Sequence, residues 1–310
     1  MTFKTKSIAH FLFGCMALNS YATYLQAEPL QSGHWSHLPF WGETVSEMGY
    51  ELPLPLGFGI YFNNQDVNYK ATNDFQVGAT GGLLGGLLGK EANYIVPAED
   101  VDISGTDKSI QLKADAWVLP FLNIYGLLGY TEGNKDINVD LSNATRNGNP
   151  FNIPVTIPIN LEYQAYNYGI GAVIASQIDT IEQIDPIIMT FSAAYTRSNT
   201  TVTDSSIETK IAAVRFGQKF ESNLGRLTLL LGYQHQSIDQ TISGSLTHLS
   251  AGGVTIADEL NFNADITNVH NNNLSVLANI DFGPKKRWNL TAEYSFLNWN
   301  QLTLAAGYRF

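Results

Sequence analysis

The chain has 310 residues, 28 acidic against 17 basic side chains, and a formal charge of −11 at neutral pH. That balance argues against nucleic acid as a partner, because phosphate contacts need clustered Lys and Arg. One cysteine, Cys15, excludes an internal disulfide framework, and no run of eighteen apolar residues offers an ordinary transmembrane helix.

At the N-terminus, Lys4 and Lys6 precede an apolar stretch from Ile8 to Leu18 that is too short to span a bilayer. Ser20-Tyr21-Ala22 and Leu25-Gln26-Ala27 then offer small-residue exits. This reads as an export signal over residues 1–27, cleaved after Ala27 or alternatively after Ala22. Cys15 leaves with it; the bulky Phe13 two residues earlier argues against acylation of that cysteine. Residues 28–56 form an N-terminal periplasmic segment whose Leu52-Pro53-Leu54-Pro55-Leu56 disfavours regular structure. It serves as a lining of the mouth, a plug or a tether.

From residue 57 onward, strands with one apolar parity recur. Phe58–Tyr69 and Phe121–Tyr130 alternate loosely. Clean examples are Ile110–Val118, Tyr166–Ile174, Ile187–Thr196, Ile211–Gly217 and Arg226–Gln234, then Leu274–Phe282, Trp288–Phe296 and Gln301–Phe310. In the last of these Leu302, Leu304, Ala306, Tyr308 and Phe310 oppose Thr303, Ala305, Gly307 and Arg309. Ten such strands of membrane-crossing length predict an all-β, transmembrane, antiparallel up-and-down barrel over residues 57–310, with twelve strands as the alternative.

The connections fall into two sets. Leu119–Leu122, Gln177–Pro186, Glu221–Gly225 and Gly283–Arg287 are expected as periplasmic turns. Thr72–Thr106, Ser142–Asn160, Asn199–Ser205, Gly244–Asn271 and the tight Asn298–Asn300 are expected outside, three of them as long loops. Tyr130, Tyr163, Tyr195, Trp288, Tyr294 and Tyr308 sit toward strand ends, as interfacial aromatic belts require.

With the apolar parity turned to lipid, Lys113, Asp115, Arg215, Lys219, Arg226, Asp281, Glu293 and Arg309 are the candidate lumen-lining residues. A ten-stranded lumen is narrow enough for such side chains to fill or gate. Gly81, Gly82, Leu83, Leu84, Gly85, Gly86, Leu87, Leu88 and Gly89 set small residues four apart, a candidate gate or plug. Asp100, Asp102 and Ser104, ahead of Gly105, match the opening of a calcium loop. Gln111 stands where the bidentate Glu is required, so a bound Ca2+ rests on an incomplete motif. His235, Ser237 and Asp239 form an alternating set that a rim hydrolase would need to converge.

The closing Ala-Gly-Tyr-Arg-Phe resembles the C-terminal assembly signal of Gram-negative outer-membrane proteins. Leu112–Gly126 resembles stretches of poorly characterised proteobacterial barrel proteins. The resemblance implies outer-membrane location, contact with its lipid and lipopolysaccharide, and handling by the barrel-assembly machinery through the last strand. It carries over no functional residue. The function expected first is passive or gated passage of small solutes or ions, without enzymatic activity. A non-conducting structural or surface-interaction barrel is the alternative, and a rim hydrolase is third.

Overall fold

The computed structural model describes residues 38–85, 91–151, 154–178, 186–201, 205–251 and 253–310. The expected export signal, His34 and Gly86–Gly89 of the glycine-leucine run lie outside those residues. In chain order the strands are β1 (Leu56–Ala71), β2 (Phe75–Thr80), β3 (Ala92–Val96), β4 (Val101–Leu119) and β5 (Leu122–Asp140). Then follow β6 (Ala144–Arg146), β7 (Asn149–Phe151), β8 (Thr156–Ile178), β9 (Ile187–Thr200) and β10 (Ser206–Ser222). The last five are β11 (Gly225–Ala251), β12 (Val254–Asn268), β13 (Asn272–Phe282), β14 (Trp288–Phe296) and β15 (Asn300–Arg309). One short helix, α1 (Gly42–Glu47), precedes them.

Ten of these strands close a ring in sequence order: β1, β4, β5, β8, β9, β10, β11, β13, β14 and β15. Every pairing is antiparallel, and β15 closes onto β1 from Gly57 opposite Arg309 to Asp66 opposite Asn300. The protein is therefore a ten-stranded up-and-down β-barrel, and the twelve-stranded alternative is set aside. A closed ring leaves no unpaired strand edge in its wall, the condition for crossing a bilayer with strands. Around it runs a belt of outward apolar side chains. Phe58, Ile60 and Phe62 on β1, Ile110 and Leu112 on β4, and Tyr168 and Ile170 on β8 are all exposed. Leu229 and Leu231 on β11 and Leu302 and Leu304 on β15 continue it. On β4 the belt covers Ile110 to Val118, which after strand tilt is about 20–25 Å of height.

Toward the end with the long connections, the sense of the alternation inverts along single strands. On β1 the outward residues change from Phe58, Ile60 and Phe62 to Asn64, Asp66, Asn68 and Lys70. The inward ones change from Gly59, Tyr61 and Asn63 to Val67, Tyr69 and Ala71. The same happens on β4, where Val101 and Ile103 point in while Asp102 and Ser104 point out. On β8, Ile157, Ile159 and Leu161 point in while Asn160 and Glu162 point out. Below the switch the surroundings are lipid; above it they are water, and the apolar parity turns inward to escape it.

The three connections expected as long loops are largely sheet. They hold β2 and β3, β6 and β7, and β12, together with the upper ends of β4, β8 and β11. β12 replaces three wall strands at this level: β11 leaves β13 after His235 and pairs with β12 from Asp239, and β1 leaves β15 and pairs with β12 over Tyr69–Ala71. The ring thus narrows from ten strands to eight. Beyond it, β12, β2, β3, β6 and β7 form a cap sheet. Phe75, Val77, Tyr94, Val96, Ile137, Val139, Ile157, Ile159, Ile242, Leu260 and Ile266, all nearly or fully inaccessible, belong to one apolar core there. Phe75 stacks on Phe262, centroids 6.1 Å apart. Nearly all the core residues lie in this upper region rather than in the lipid-level barrel.

Candidate functional site: a layered lumen closed at both ends

The interior is best followed from the short-turn end upward. Residues 38–56 lie across that mouth. Phe40 N–H donates to Val118 O at 2.9 Å and Trp117 N–H to Pro55 O at 2.8 Å, fastening the segment to β4. Leu56 and Phe310 exchange backbone bonds at the closing strand. Glu51 then reaches the far rim, where its carboxylate pairs with Arg226 of β11 and, at 3.4 Å, with Lys286. Glu221 pairs with the same two cations, at 2.5 Å and 3.3 Å. Burial pushes the Glu51 carboxyl up, but the hydrogen bond and charge of Arg226, reinforced by Lys286, hold it below its ordinary value of 4.5.

At the level of the belt the lumen is charged and aromatic. Arg215 on β10 donates from Nε and Nη2 to both carboxylate oxygens of Glu293 on β14, at 2.8 and 3.0 Å, and from Nη1 to Ser192 Oγ at 3.0 Å. Two strands separate β10 from β14 in the ring, so this bidentate pair bridges nonadjacent staves. On another side Lys113 donates to Tyr61 OH at 3.3 Å and sits 4.6 Å from the Tyr125 ring centroid. Asp115 accepts from Arg309 and from Asn123 Nδ2, the latter at 2.5 Å, while Arg309 Nη1 donates to Leu54 O at 2.6 Å. Above lies a neutral amide layer. Gln234 donates to Ser295 Oγ at 2.7 Å, Gln301 to Asn63 Oδ1 at 2.8 Å, and Thr303 to the same oxygen at 3.0 Å.

A fourth layer holds the most deeply buried charge. Lys135 on β5 is 1% exposed; it donates to Tyr163 OH at 3.1 Å and lies 4.5 and 4.6 Å from the Tyr69 and Tyr163 ring centroids. Both tyrosine hydroxyls donate to Asp107, that of Tyr69 at 3.2 Å. Gly133 makes room, since a Cβ there would collide with the Tyr163 ring and with Asp107. The apolar core of the cap sits on top.

All eight candidate lumen residues carry inward parity. The structure divides them among separate groups: Arg215 with Glu293, Lys113 with Asp115 and Arg309, and Arg226 at the rim. Asp281 accepts from Asn279 Nδ2 at 3.1 Å, and Lys219 lies near the same rim. Reading by parity missed Tyr61 and Tyr125, which alternate in the two looser runs, Glu221 at the end of β10, Lys286 in a turn, and Glu51 in the strap formed by residues 38–56.

The glycine-leucine run is described to Gly85. Gly81 and Gly82 have φ of 68° and 58°, a left-handed turn that glycine makes cheaply. They let Leu83 and Leu84 bond to Thr255 O and Ile256 O, and Leu84 enters the cap core while Leu83 stays exposed. The segment is thus part of the cap, at its far tip. Asp102 and Ser104 lie on extended β4, and Asp100 ends a 3-10 turn and accepts from Asn143. The loop that the calcium spacing predicts does not form, and among the described residues no three His, Cys, Asp or Glu side chains gather as a metal site. Tyr163 is a correction to the expected belt: inverted polarity turns it into the Lys135 layer. Tyr130 and Tyr166 pair at 5.6 Å on one edge of the belt, and Trp288 and Tyr308 at 4.8 Å on the other. His235, Ser237 and Asp239 share the outer face of β11. There His235 bonds Asn272 at 2.9 Å and Ser237 approaches Asp239 at 3.5 Å.

No family model matches the sequence, and no curated protein does. Among solved structures, the translocator domain of the autotransporter NalP from Neisseria meningitidis is similar at 13% identity and a TM-score of 0.36, covering 86% of this chain and 92% of that one. The toluene transporter TbuX from Ralstonia pickettii is similar at 8% identity and a TM-score of 0.31, covering 84% and 90%. An outer membrane channel from Pseudomonas putida F1 is similar at 10% identity and a TM-score of 0.32, covering 84% and 97%. No residue role passes from these proteins to this one.

Proposed function

We propose that this protein is an integral outer-membrane barrel of a Gram-negative bacterium that does not conduct in its resting form and carries a folded β-cap at the cell surface. Residues 1–27 direct export, the short-turn end with residues 38–56 faces the periplasm, and the cap faces outward. The last strand, ending on Phe310, serves recognition by the assembly machinery, and the belt meets outer-membrane lipid. The observation that carries the reading is the apolar core across the narrowed outer mouth. Water and ions entering a dry, close-packed layer lose their hydration with no replacement, so such a core blocks a path as effectively as it stabilises the cap.

Single-channel recording on refolded protein in planar bilayers tests this. Silence is expected from the intact chain, and discrete steps after residues 73–97 are replaced by a short flexible linker. Steady steps from the intact protein would overturn the reading.

Gated passage of small solutes is the second reading, supported by the charged and amide layers that continue beneath the cap and by a strap held through surface ion pairs. The reading includes no catalytic role: His235 and Ser237 lie on the outer wall of one strand, engaged with different partners.

A further inference from the structure

On the outer wall a cleft of about 270 Å3 lies where the β14–β15 turn leans over the outward faces of β1, β4 and β5. It is lined by Asp66, Asn68, Thr106, Asn134, Asp136 and the turn around Trp299. The next outward row below it is Asn64, Lys108 and Glu132, and Phe62, Ile110 and Tyr130 of the apolar belt follow one row further down. Thr106 Oγ1 donates to one oxygen of Asp66 at 2.8 Å and Asn160 Nδ2 to one oxygen of Asp136 at 2.6 Å, leaving the second oxygen of each carboxylate available. Asn134 Oδ1 is shielded from solvent and has no hydrogen-bond partner among the described residues. Asn64 Oδ1, one outward step below Asp66, is in the same state.

We propose that this cleft binds a saccharide, and that its position at the top of the belt suits the sugar headgroup of an outer-leaflet glycolipid. The inference rests on the outer-membrane reading above. Sugar hydroxyls both donate and accept, and the lining matches them with carboxylates, side-chain amides and a hydroxyl. A bare divalent cation fits less well. Asp66 on β1 and Asp136 on β5 are separated by β4, about 9–10 Å of wall, whereas one ion draws its oxygens to within about 2.6 Å. A free phosphate is disfavoured by the same two carboxylates.

The test places full-length mature protein, labelled with 15N at tryptophan, in nanodiscs and follows the Trp299 indole resonance. Two probes are compared: lipopolysaccharide built into the disc, and its delipidated core oligosaccharide titrated into phospholipid discs. The expected result is a saturable Trp299 shift whose apparent affinity falls at least tenfold in Asp66→Ala and Asp136→Ala and is unchanged in Glu208→Ala on the opposite wall. A shift with free oligosaccharide assigns a soluble saccharide, and a shift only with lipopolysaccharide assigns the membrane-anchored one. No shift with either probe, an affinity unchanged from the unsubstituted protein in both cleft variants, or a shift reproduced by Ca2+ alone overturns the proposal. Heat-modifiable migration and protection from protease are scored on the same samples. A barrel that inserts but binds neither probe refutes the cleft alone, whereas failure to insert refutes the outer-membrane reading and the cleft with it.

Discussion

The lipid-level barrel and the cap above it use the same strands with opposite logic. At the belt, β1 shows Phe58, Ile60 and Phe62 to the outside and keeps Tyr61 and Asn63 within; a few residues on, it shows Asp66, Asn68 and Lys70 and buries Val67 and Tyr69. The barrel has no dry core of its own, and ion pairs and amides occupy its interior. The cap has a core of the kind found in water-soluble sandwiches. The contrast teaches that what surrounds a strand decides which parity is buried, and that one backbone ladder serves both solvents.

The comparison is broken most severely by attacking the cap core. Phe262→Ala removes a ring stacked on Phe75 and should destabilise the cap by about 3–5 kcal/mol. Hydrogen exchange would report this as lost protection over β2, β3 and β12 while β13–β15 stay protected. Equal loss in both regions would show that cap and barrel unfold as one unit.

A charge on the belt probes the other half. Leu231→Lys, on a side chain 68% exposed to lipid, should cost about 2–4 kcal/mol in urea-driven unfolding from vesicles. The equivalent change at Asn138, outward on the cap portion of β5, should cost within about 0.5 kcal/mol.

In the lumen, Arg215→Ala strands the Glu293 carboxylate and should cost about 2–3 kcal/mol in the same assay. Arg215→Ala with Glu293→Ala should recover part of that loss.

The smallest effect is expected at the strap. Because the Glu51 carboxyl is held below 4.5 when folded, its clamp is present above that value and is lost as pH falls through the lowered folded-state value. Proteolysis of residues 38–56 should therefore accelerate below about pH 4.5. Glu51→Gln should remove this acid dependence at a cost of under about 1 kcal/mol, since the network is solvent-exposed.

Much of the barrel was legible in the sequence. Leu302, Leu304, Ala306 and Tyr308 alternate because a membrane strand separates lipid from lumen every residue, so period two survives as a local signal. All ten wall strands could be read that way, and so could the inward parity of the eight charged candidates. The loops could not. Val101, Ile103, Ile157 and Ile159 also alternate, but with the apolar side turned in, and sequence periodicity has no sign until the surroundings are known. The pairing of Arg215 with Glu293, 78 residues away, was equally hidden, because the ring's curvature brings β10 and β14 together and no spacing records that.

The sequence by itself determined the lipid-facing parity and the side on which the long connections lie, and placed ten strands with twelve left open, because these follow from local alternation and hairpin length. Only the tertiary structure decided that those connections fold into a cap, that β12 narrows the wall from ten strands to eight, and that the lumen is filled in layers. Those features depend on which distant strands meet and which solvent each meets, and no residue carries that information alone.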